Sequence, residues 1–354
     1  MEKSKHLHHL RTSRAVLVVV IKFCRAVQFD YFIMGRRNPT LSTLTIIIAA
    51  ILFPGSFQLS QEAFVINIPR VSLGTAGHVN SSIIDFALSI GFTSFDTARA
   101  TEWYSEDQLA LSIAASSIPR SELFITTKIH PRDLGYNETM RAGRESAAKF
   151  IGGYVDVLLL HYPRCWEGLC GVGDYYKKGA WKESWRAIED LRKEGKVRVG
   201  GGVSNFGPRD LEELGEISRN GGGDVVVVQD WCDPFHQSLP QQAFCSSQPS
   251  CTFQAYSSLG GQHLYQKPQE NVVMRSKTLM EIAKSHGASI PTIVLSWQLQ
   301  RGMAVVPRST NTRHLRENIS LLSTTITLTA QEIIAIEALE GREMETDERR
   351  NGEL

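Results

Sequence analysis

The strongest constraint on this chain is a repeated alternation of short apolar runs with helix-patterned stretches. The apolar runs fall at 71–73, 93–96, 124–128, 155–161, 197–201, 225–229, 252–256 and 304–307. Each is of strand length and is bounded by polar or turn-forming residues. Between them the apolar spacing becomes helical, for example over 80–89, 106–115, 182–193, 211–218, 277–286 and 292–300. Strands that alternate with helices predict parallel pairing. Eight of them over about 280 residues predict an α/β fold, a single-domain (β/α)8 TIM barrel. No second domain and no repeat beyond this alternation is evident.

The two ends differ from this pattern. Residues 1–62 are expected to be an N-terminal targeting, signal-like or poorly ordered segment, 63–340 the barrel, and 341–354 (GREMETDERRNGEL) a charged, solvated tail. Two apolar runs, 15–21 and 44–53, each fall short of the roughly 20 residues that cross a bilayer. The second follows MGRRNPT, a basic-then-apolar order like that of a signal peptide, conventional if translation starts at Met34. QEAFV at 61–65 is similar to a plastid presequence junction. The expected location is therefore cytoplasmic with an unordered arm, or a plastid or secretory route. Membrane contact is expected only through this segment.

Several of the apolar runs end in residues that can do chemistry. Asp96 closes SFD, Lys128 closes FITTK, His161 closes VDVLLLH, and Tyr104 follows the first of these runs. In a barrel of parallel strands the C-terminal strand ends converge on one face, so these four side chains are expected to meet. A buried ammonium needs a carboxylate beside it, and Asp96 and Lys128 close neighbouring strands. An ammonium beside a phenol stabilises the phenolate and makes the phenol a usable general acid. A neutral histidine can hold the substrate oxygen. Taken singly, each has a plainer role, such as a satisfied strand-end histidine or an aspartate capping a helix.

Composition narrows the partners. With 42% hydrophobic residues and a net charge of +1, the chain has no excess positive charge for a nucleic-acid backbone. Six cysteines are too few for a disulfide scaffold at this length. Cys165 and Cys170 flank a four-residue loop and can pair in an oxidising compartment, although two free thiols are the simpler expectation. Cys245 and Cys251 lack zinc-ligand spacing, so no metal site is expected.

The segments GFTSFDTA, ITTKIHP, LLLHYP, GKVRVGGGVSNF, VVQDW, QAYSSLGG and VVPRSTNTRHLREN, in this order, resemble the signature segments of the aldo-keto reductase superfamily from residue 66 to about 320. The resemblance implies reduction of an aldehyde or ketone by a nicotinamide cofactor, usually NADPH, on a (β/α)8 barrel. It places Asp96, Lys128 and His161 at three of the four catalytic positions. The family's tyrosine stands five residues after the aspartate, where this chain has Thr101, and DTARATEWYSED is longer by about two residues. Alignment on Glu106 puts Trp103 in the tyrosine column, one step from Tyr104. The expected proton donor is Tyr104, brought inward by a two-residue bulge.

The same resemblance supplies a cofactor site. Ser204, Asn205 and Gln229 offer hydroxyl and amide groups suited to a carboxamide. Tyr256 offers a flat face for a nicotinamide ring. Ser257 and Leu259 would lie along the pyrophosphate. Arg308, Ser309 and Thr310 form a phosphate site at a helix N-terminus. His314 stands where a second arginine is common, and Glu317 and Asn318 match an adenine-contacting pair. NADP(H) is thus expected, with NAD possible. Asn318 also lies in one of three glycosylation sequons, with Asn80 and Asn137, and a glycan there would block the site. Trp166, Tyr175 and Tyr176 in the long insertion, and Trp231, are expected either to wall the substrate pocket or to pack on the rim. The expected partner is a small carbonyl substrate, and the expected state is a monomer or weak oligomer. The alternative expectation is a cofactor-binding ancillary subunit with little turnover.

Overall fold

A computed structural model describes residues 67–77, 79–170, 180–266, 271–324 and 326–342. The N-terminal segment, its two apolar runs, Tyr175 and Tyr176, and nearly all of the charged tail lie outside these residues. In chain order the elements are β1 (Leu73–Gly74), α1 (Ser81–Ser89), β2 (Ser94–Asp96), α2 (Glu106–Ala115), β3 (Phe124–Ile129), α3 (Tyr136–Lys149) and β4 (Val155–Leu160). Next come α4 (Glu167–Cys170), α5 (Ala180–Lys193), β5 (Val197–Ser204), α6 (Pro208–Arg219), β6 (Val225–Trp231), α7 (Leu239–Ser246) and β7 (Thr252–Tyr256). The chain continues through α8 (His263–Gln266), α9 (Val272–Arg275), α10 (Lys277–Ser285), α11 (Ile290–Gln300), β8 (Ala304–Val305), α12 (Thr312–Ser320) and α13 (Ala330–Glu337).

The eight strands pair in sequence order, and every pairing is parallel. The sheet also closes on itself. Ser72 N donates to Val305 O (3.0 Å), Val305 N to Arg70 O (2.9 Å), and Gly74 N to Pro307 O (3.1 Å), with a parallel bridge from Val71 to Val305. Closure leaves no sheet edge to cover. The expected strands are all present, and the differences are at their ends. β8 is two residues long where four were expected, since Pro307 has no N–H to pair. β5 and β6 run further, to Ser204 and Trp231.

Strand alternation decides which residues share the barrel interior. Phe124, Thr126 and Lys128 share one face of β3. Val157 and Leu159 on β4, with His161 just beyond it, share the corresponding face, as do Val227, Gln229 and Trp231 on β6. Val157, Leu159, Val226, Val227 and Ala304 pack with Ile68 as a small cluster apart from the larger core. Gly202 sits where β5 shifts register against β6. A Cβ there would come within 2.4 Å of Val227 O and 2.6 Å of Leu159 Cδ2, so only glycine fits this approach.

The helices bury one stripe each against the sheet. On α5, Trp181, Ser184, Trp185, Ile188 and Leu191 recur at three- and four-residue intervals and are buried. Several helix starts are fixed by side chains from the preceding residue: Asn80 on α1, Ser276 on α10, Ser289 on α11 and Asn311 on α12. No helix among the described residues is long and apolar enough to cross a membrane.

Candidate active site

The alternation that fills the barrel also ends at its mouth, and there the four expected residues meet. Lys128 and Asp96 are almost wholly buried, at 1% and 3% exposure. Lys128 Nζ donates to Asp96 Oδ1 (2.5 Å) and to Thr97 O (2.9 Å). The second carboxylate oxygen, Oδ2, accepts from Gln229 Nε2 (2.8 Å), which also reaches Gln254 Oε1 (2.7 Å). Each buried charge therefore has hydrogen-bonded company, as burial requires.

Tyr104 lies against this pair. Lys128 Nζ stands 4.9 Å from the centre of the Tyr104 ring. The Tyr104 and His161 rings meet edge to face at 5.9 Å. The longer loop after β2 is absorbed by a turn over 101–103, in which Trp103 N (2.9 Å) and Tyr104 N (2.8 Å) both donate to Ala100 O. That turn carries Tyr104 inward although it stands eight residues after Asp96. Trp103, in the neighbouring position, also packs edge-on to His161, at 5.9 Å.

The electrostatics follow from burial and proximity. Burial alone pulls the Lys128 pKa down. The Asp96 carboxylate and the Tyr104 phenol outweigh it and raise Lys128 above the ordinary lysine value. His161 is held well below the ordinary histidine value, chiefly by burial, then by the Lys128 charge and by His130. It is a neutral imidazole at physiological pH. Its Nδ1 is buried without a hydrogen-bond partner among the described residues.

The expected cofactor residues run along the chain from β5 to α12. Asn205 takes a left-handed backbone (φ 58°) and is fully engaged: Nδ2 donates to His161 O (3.0 Å) and Ser204 Oγ (3.1 Å), and Oδ1 accepts from the Tyr256 hydroxyl (2.6 Å). This tether anchors the tip of the Tyr256 ring. Gln229 has committed its amide nitrogen to Asp96 and Gln254, so the free-amide reading of Gln229 holds only for its oxygen. Ser257 is also left-handed (φ 52°), and Leu259 O accepts from Asn271 Nδ2 (2.8 Å). Between them Ser258 has a buried hydroxyl with no partner among the described residues, and sequence reasoning passed it over.

At the β8–α12 junction Arg308 is exposed, and its Nε donates to Ala76 O (3.0 Å). Its guanidinium lies over Gly77, which has a φ of +72°. Thr310 is exposed beside it. Ser309 Oγ accepts from Asn311 N (3.0 Å), and Asn311 Oδ1 caps α12 through Arg313 N (2.9 Å) and His314 N (3.4 Å). His314 Nε2 faces Arg313 (3.3 Å), Arg313 Nε lies 3.8 Å from Glu317, and Asn318 is buried.

At the rim, Trp231 and Trp166, expected to wall the pocket or to pack there, meet residues that the sequence did not single out. At the end of β6, Trp231 stacks on His236 (3.9 Å, 15°) and meets His263 edge-on (5.1 Å). Its Nε1 donates to the fully buried Asp233 (Oδ2, 2.7 Å), and His263 Nε2 lies 3.0 Å from the same oxygen. Tyr162 stacks on His161 (5.0 Å), and Trp166, 40% exposed, packs edge-on to Tyr162 (5.0 Å). Cys165 and Cys170 form a disulfide, where two free thiols were the simpler expectation, and Cys245 and Cys251 form a second. Among the described residues no cluster of metal-ligating side chains occurs.

Comparison with known proteins places this geometry. The profile of the aldo/keto reductase family matches residues 78–340. A 9,11-endoperoxide prostaglandin H2 reductase of Trypanosoma cruzi is 29% identical over 278 residues, covering 77% of this chain and 88% of that protein. A glyoxal reductase of Bacillus subtilis is 29% identical over 266 residues, covering 74% and 84%. Among solved structures, an aldo-keto reductase from a deep-sea metagenome library (MGS-M4) superposes with a TM-score of 0.66 at 26% identity, covering 79% of this chain and 94% of that one.

Proposed function

Since the chain belongs to the aldo/keto reductase family, and is thus an oxidoreductase of a family acting on aldehydes and ketones, we propose that it reduces a carbonyl substrate to an alcohol with NADPH, and that Tyr104 delivers the proton. The observation that carries this reading is the meeting of Tyr104, Lys128, His161 and Asp96 at one end of the barrel. The fit to a nicotinamide dinucleotide rests on three features. The Tyr256 ring is anchored at its hydroxyl by Asn205. The buried Ser258 hydroxyl lacks a partner that an acceptor-rich group would supply. The exposed Arg308 guanidinium and the start of α12 suit a phosphate.

When bound, the reduced cofactor supplies the hydride that goes to the carbonyl carbon. The chain's own residues manage the oxygen. The neutral His161 orients it through a ring N–H. Tyr104 gives up its hydroxyl proton as charge develops there, and the oxygen–hydrogen bond of the alcohol forms as that of the phenol breaks. The Lys128 ammonium stabilises the phenolate left behind, and Asp96, braced by Gln229, holds the ammonium in place. Trp103, Tyr162 and Trp231 form aromatic walls that exclude water. Ser204, Asn205, Gln229 and Tyr256 would hold the nicotinamide end, and Ser257, Ser258 and Leu259 the pyrophosphate. Arg308, Ser309, Thr310 and His314 would hold the 2′-phosphate, with Glu317 and Asn318 at the adenine.

The test is cofactor consumption, followed by the absorbance of NADPH, with a panel of aldehydes and ketones. Turnover with NADPH favoured over NADH is the expected result. Tight NADPH binding without turnover of any carbonyl would overturn the enzymatic reading and favour a cofactor-binding ancillary role.

A further inference from the structure

Glu106 is a buried carboxylate, 4% exposed, and the four residues above make no use of it. It is the first residue of α2. Its Oε1 accepts from Thr127 Oγ1 (2.6 Å) and Ser146 Oγ (3.0 Å), and its Oε2 pairs with Lys149 Nζ (2.9 Å). Three donors from β3 and α3 thus saturate it. A carboxylate so supplied is firmly placed, because moving it would strand a buried charge.

Its sequence position gives this bond a consequence. Tyr104 stands two residues before Glu106, and Lys128 one residue after Thr127. Successive side chains on a strand point to opposite faces. Glu106 therefore grips the outer face of the strand whose inner face presents Lys128. We propose that Glu106 is a positioning residue for the proton donor: its carboxylate pins the start of α2 to Thr127, and so holds the Tyr104 ring beside the Lys128 ammonium. This rests on Tyr104 being the donor.

The rest of the loop is held differently. Gly77 N donates to Trp103 O (2.7 Å), and Glu102 pairs with Arg132 at the rim. Both contacts precede Tyr104 in the chain. On its C-terminal side, the Glu106–Thr127 bond ties the segment to β3. A span of two residues reaches at most about 7 Å, so a shift of the α2 start passes directly to the phenol.

The experiment compares Thr127→Val, Thr127→Ser, Glu106→Gln and Tyr104→Phe in steady-state carbonyl reduction with NADPH. Cofactor affinity is read by fluorescence, and folding by circular dichroism and thermal melting. Thr127→Val keeps the shape of the side chain and removes the donor. It is expected to lower kcat about tenfold, in line with the cost of sub-ångström to ångström misplacement, with NADPH affinity unchanged. The charged and titratable groups facing Tyr104 are Lys128 from β3 and His161 just after β4, with Asp96 of β2 behind Lys128 and Tyr256 of β7 nearby. A phenol that drifts from Lys128 loses the ammonium's help, so the basic limb of the kcat profile moves to higher pH. Thr127→Ser restores both, and Glu106→Gln falls between. If Tyr104→Phe keeps full turnover, the donor assignment itself is wrong. If Tyr104→Phe abolishes turnover while Thr127→Val keeps the wild-type kcat and pH limb, Glu106 is only a structural residue and the proposal fails.

Discussion

Replacing Lys128 by methionine separates the two tasks that this ammonium is argued to perform. The Lys128–Asp96 pair is almost fully buried at a separation of 2.5 Å. At an effective dielectric constant of about 20, that distance corresponds to roughly 7 kcal/mol of gross attraction, largely offset by the cost of removing both groups from water. Lys128→Met leaves the Asp96 carboxylate buried with the Gln229 amide as its remaining side-chain donor among the described residues. Breaking such a pair from one side costs about 3–5 kcal/mol. The double variant Asp96→Asn with Lys128→Met removes the stranded charge and is expected to recover most of that loss. Turnover is not expected to recover, because the phenol still lacks its ammonium, and both variants should stay about 10²–10⁴-fold down in kcat. Urea unfolding at pH 7 measures the first effect and NADPH consumption the second. If the single and double variants unfold at the same urea concentration, the pair is not the buried charge couple described here. If the double variant regains turnover, Lys128 matters only for folding.

Three further outcomes follow from named contacts. His161 is held neutral by burial, so the unfolded chain takes up its proton first as pH falls, and the folded state loses stability below about pH 6.5 at about 1.4 kcal/mol per pH unit. The stability advantage of wild type over His161→Gln should therefore shrink as pH drops from 7 to 5 in urea titrations, and a constant difference would contradict the neutral assignment. Arg308→Ala should raise the KM for NADPH by about tenfold or more, from loss of a charge-assisted phosphate contact, while the KM for NADH changes little; equal changes would remove Arg308 from the 2′-phosphate. Reduction of the Cys245–Cys251 bond, or a double change to serine, should lower the unfolding free energy by about 2 kcal/mol, since it opens a short loop between α7 and β7. Unchanged denaturation with and without a dithiol would show the bond to be inert.

Much of the barrel was readable because its signal is local. The alternation on β3 and β4 places Lys128 and His161 on the inner face, and the chain itself states that alternation. Strand ends were less legible, because hydrogen bonds to neighbouring strands extend β5 and β6 and the missing N–H of Pro307 ends β8. The position of Tyr104 depends on a turn over 101–103 closed by Ala100 O, which spacing from Asp96 does not reveal. The commitment of Asn205 and Gln229 to Tyr256, Asp96 and Gln254 arises from strands brought together by closure. The Cys245–Cys251 bond escaped notice because α7 and the start of β7 bring the two Cα atoms to 5.2 Å, a tertiary fact. The Asp233–Trp231–His263 cluster joins loops about thirty residues apart for the same reason.

The most direct test sets Tyr104→Phe beside Trp103→Phe, since alignment and geometry name different neighbours for the donor position. Single-turnover reduction of an aldehyde by the NADPH-loaded variants isolates the chemical step. Tyr104→Phe is expected to slow it by about 10²–10⁴ with cofactor affinity intact, and Trp103→Phe to change it within a few-fold. A Tyr104→Phe protein that reduces the aldehyde at the wild-type rate would contradict Tyr104 as the donor.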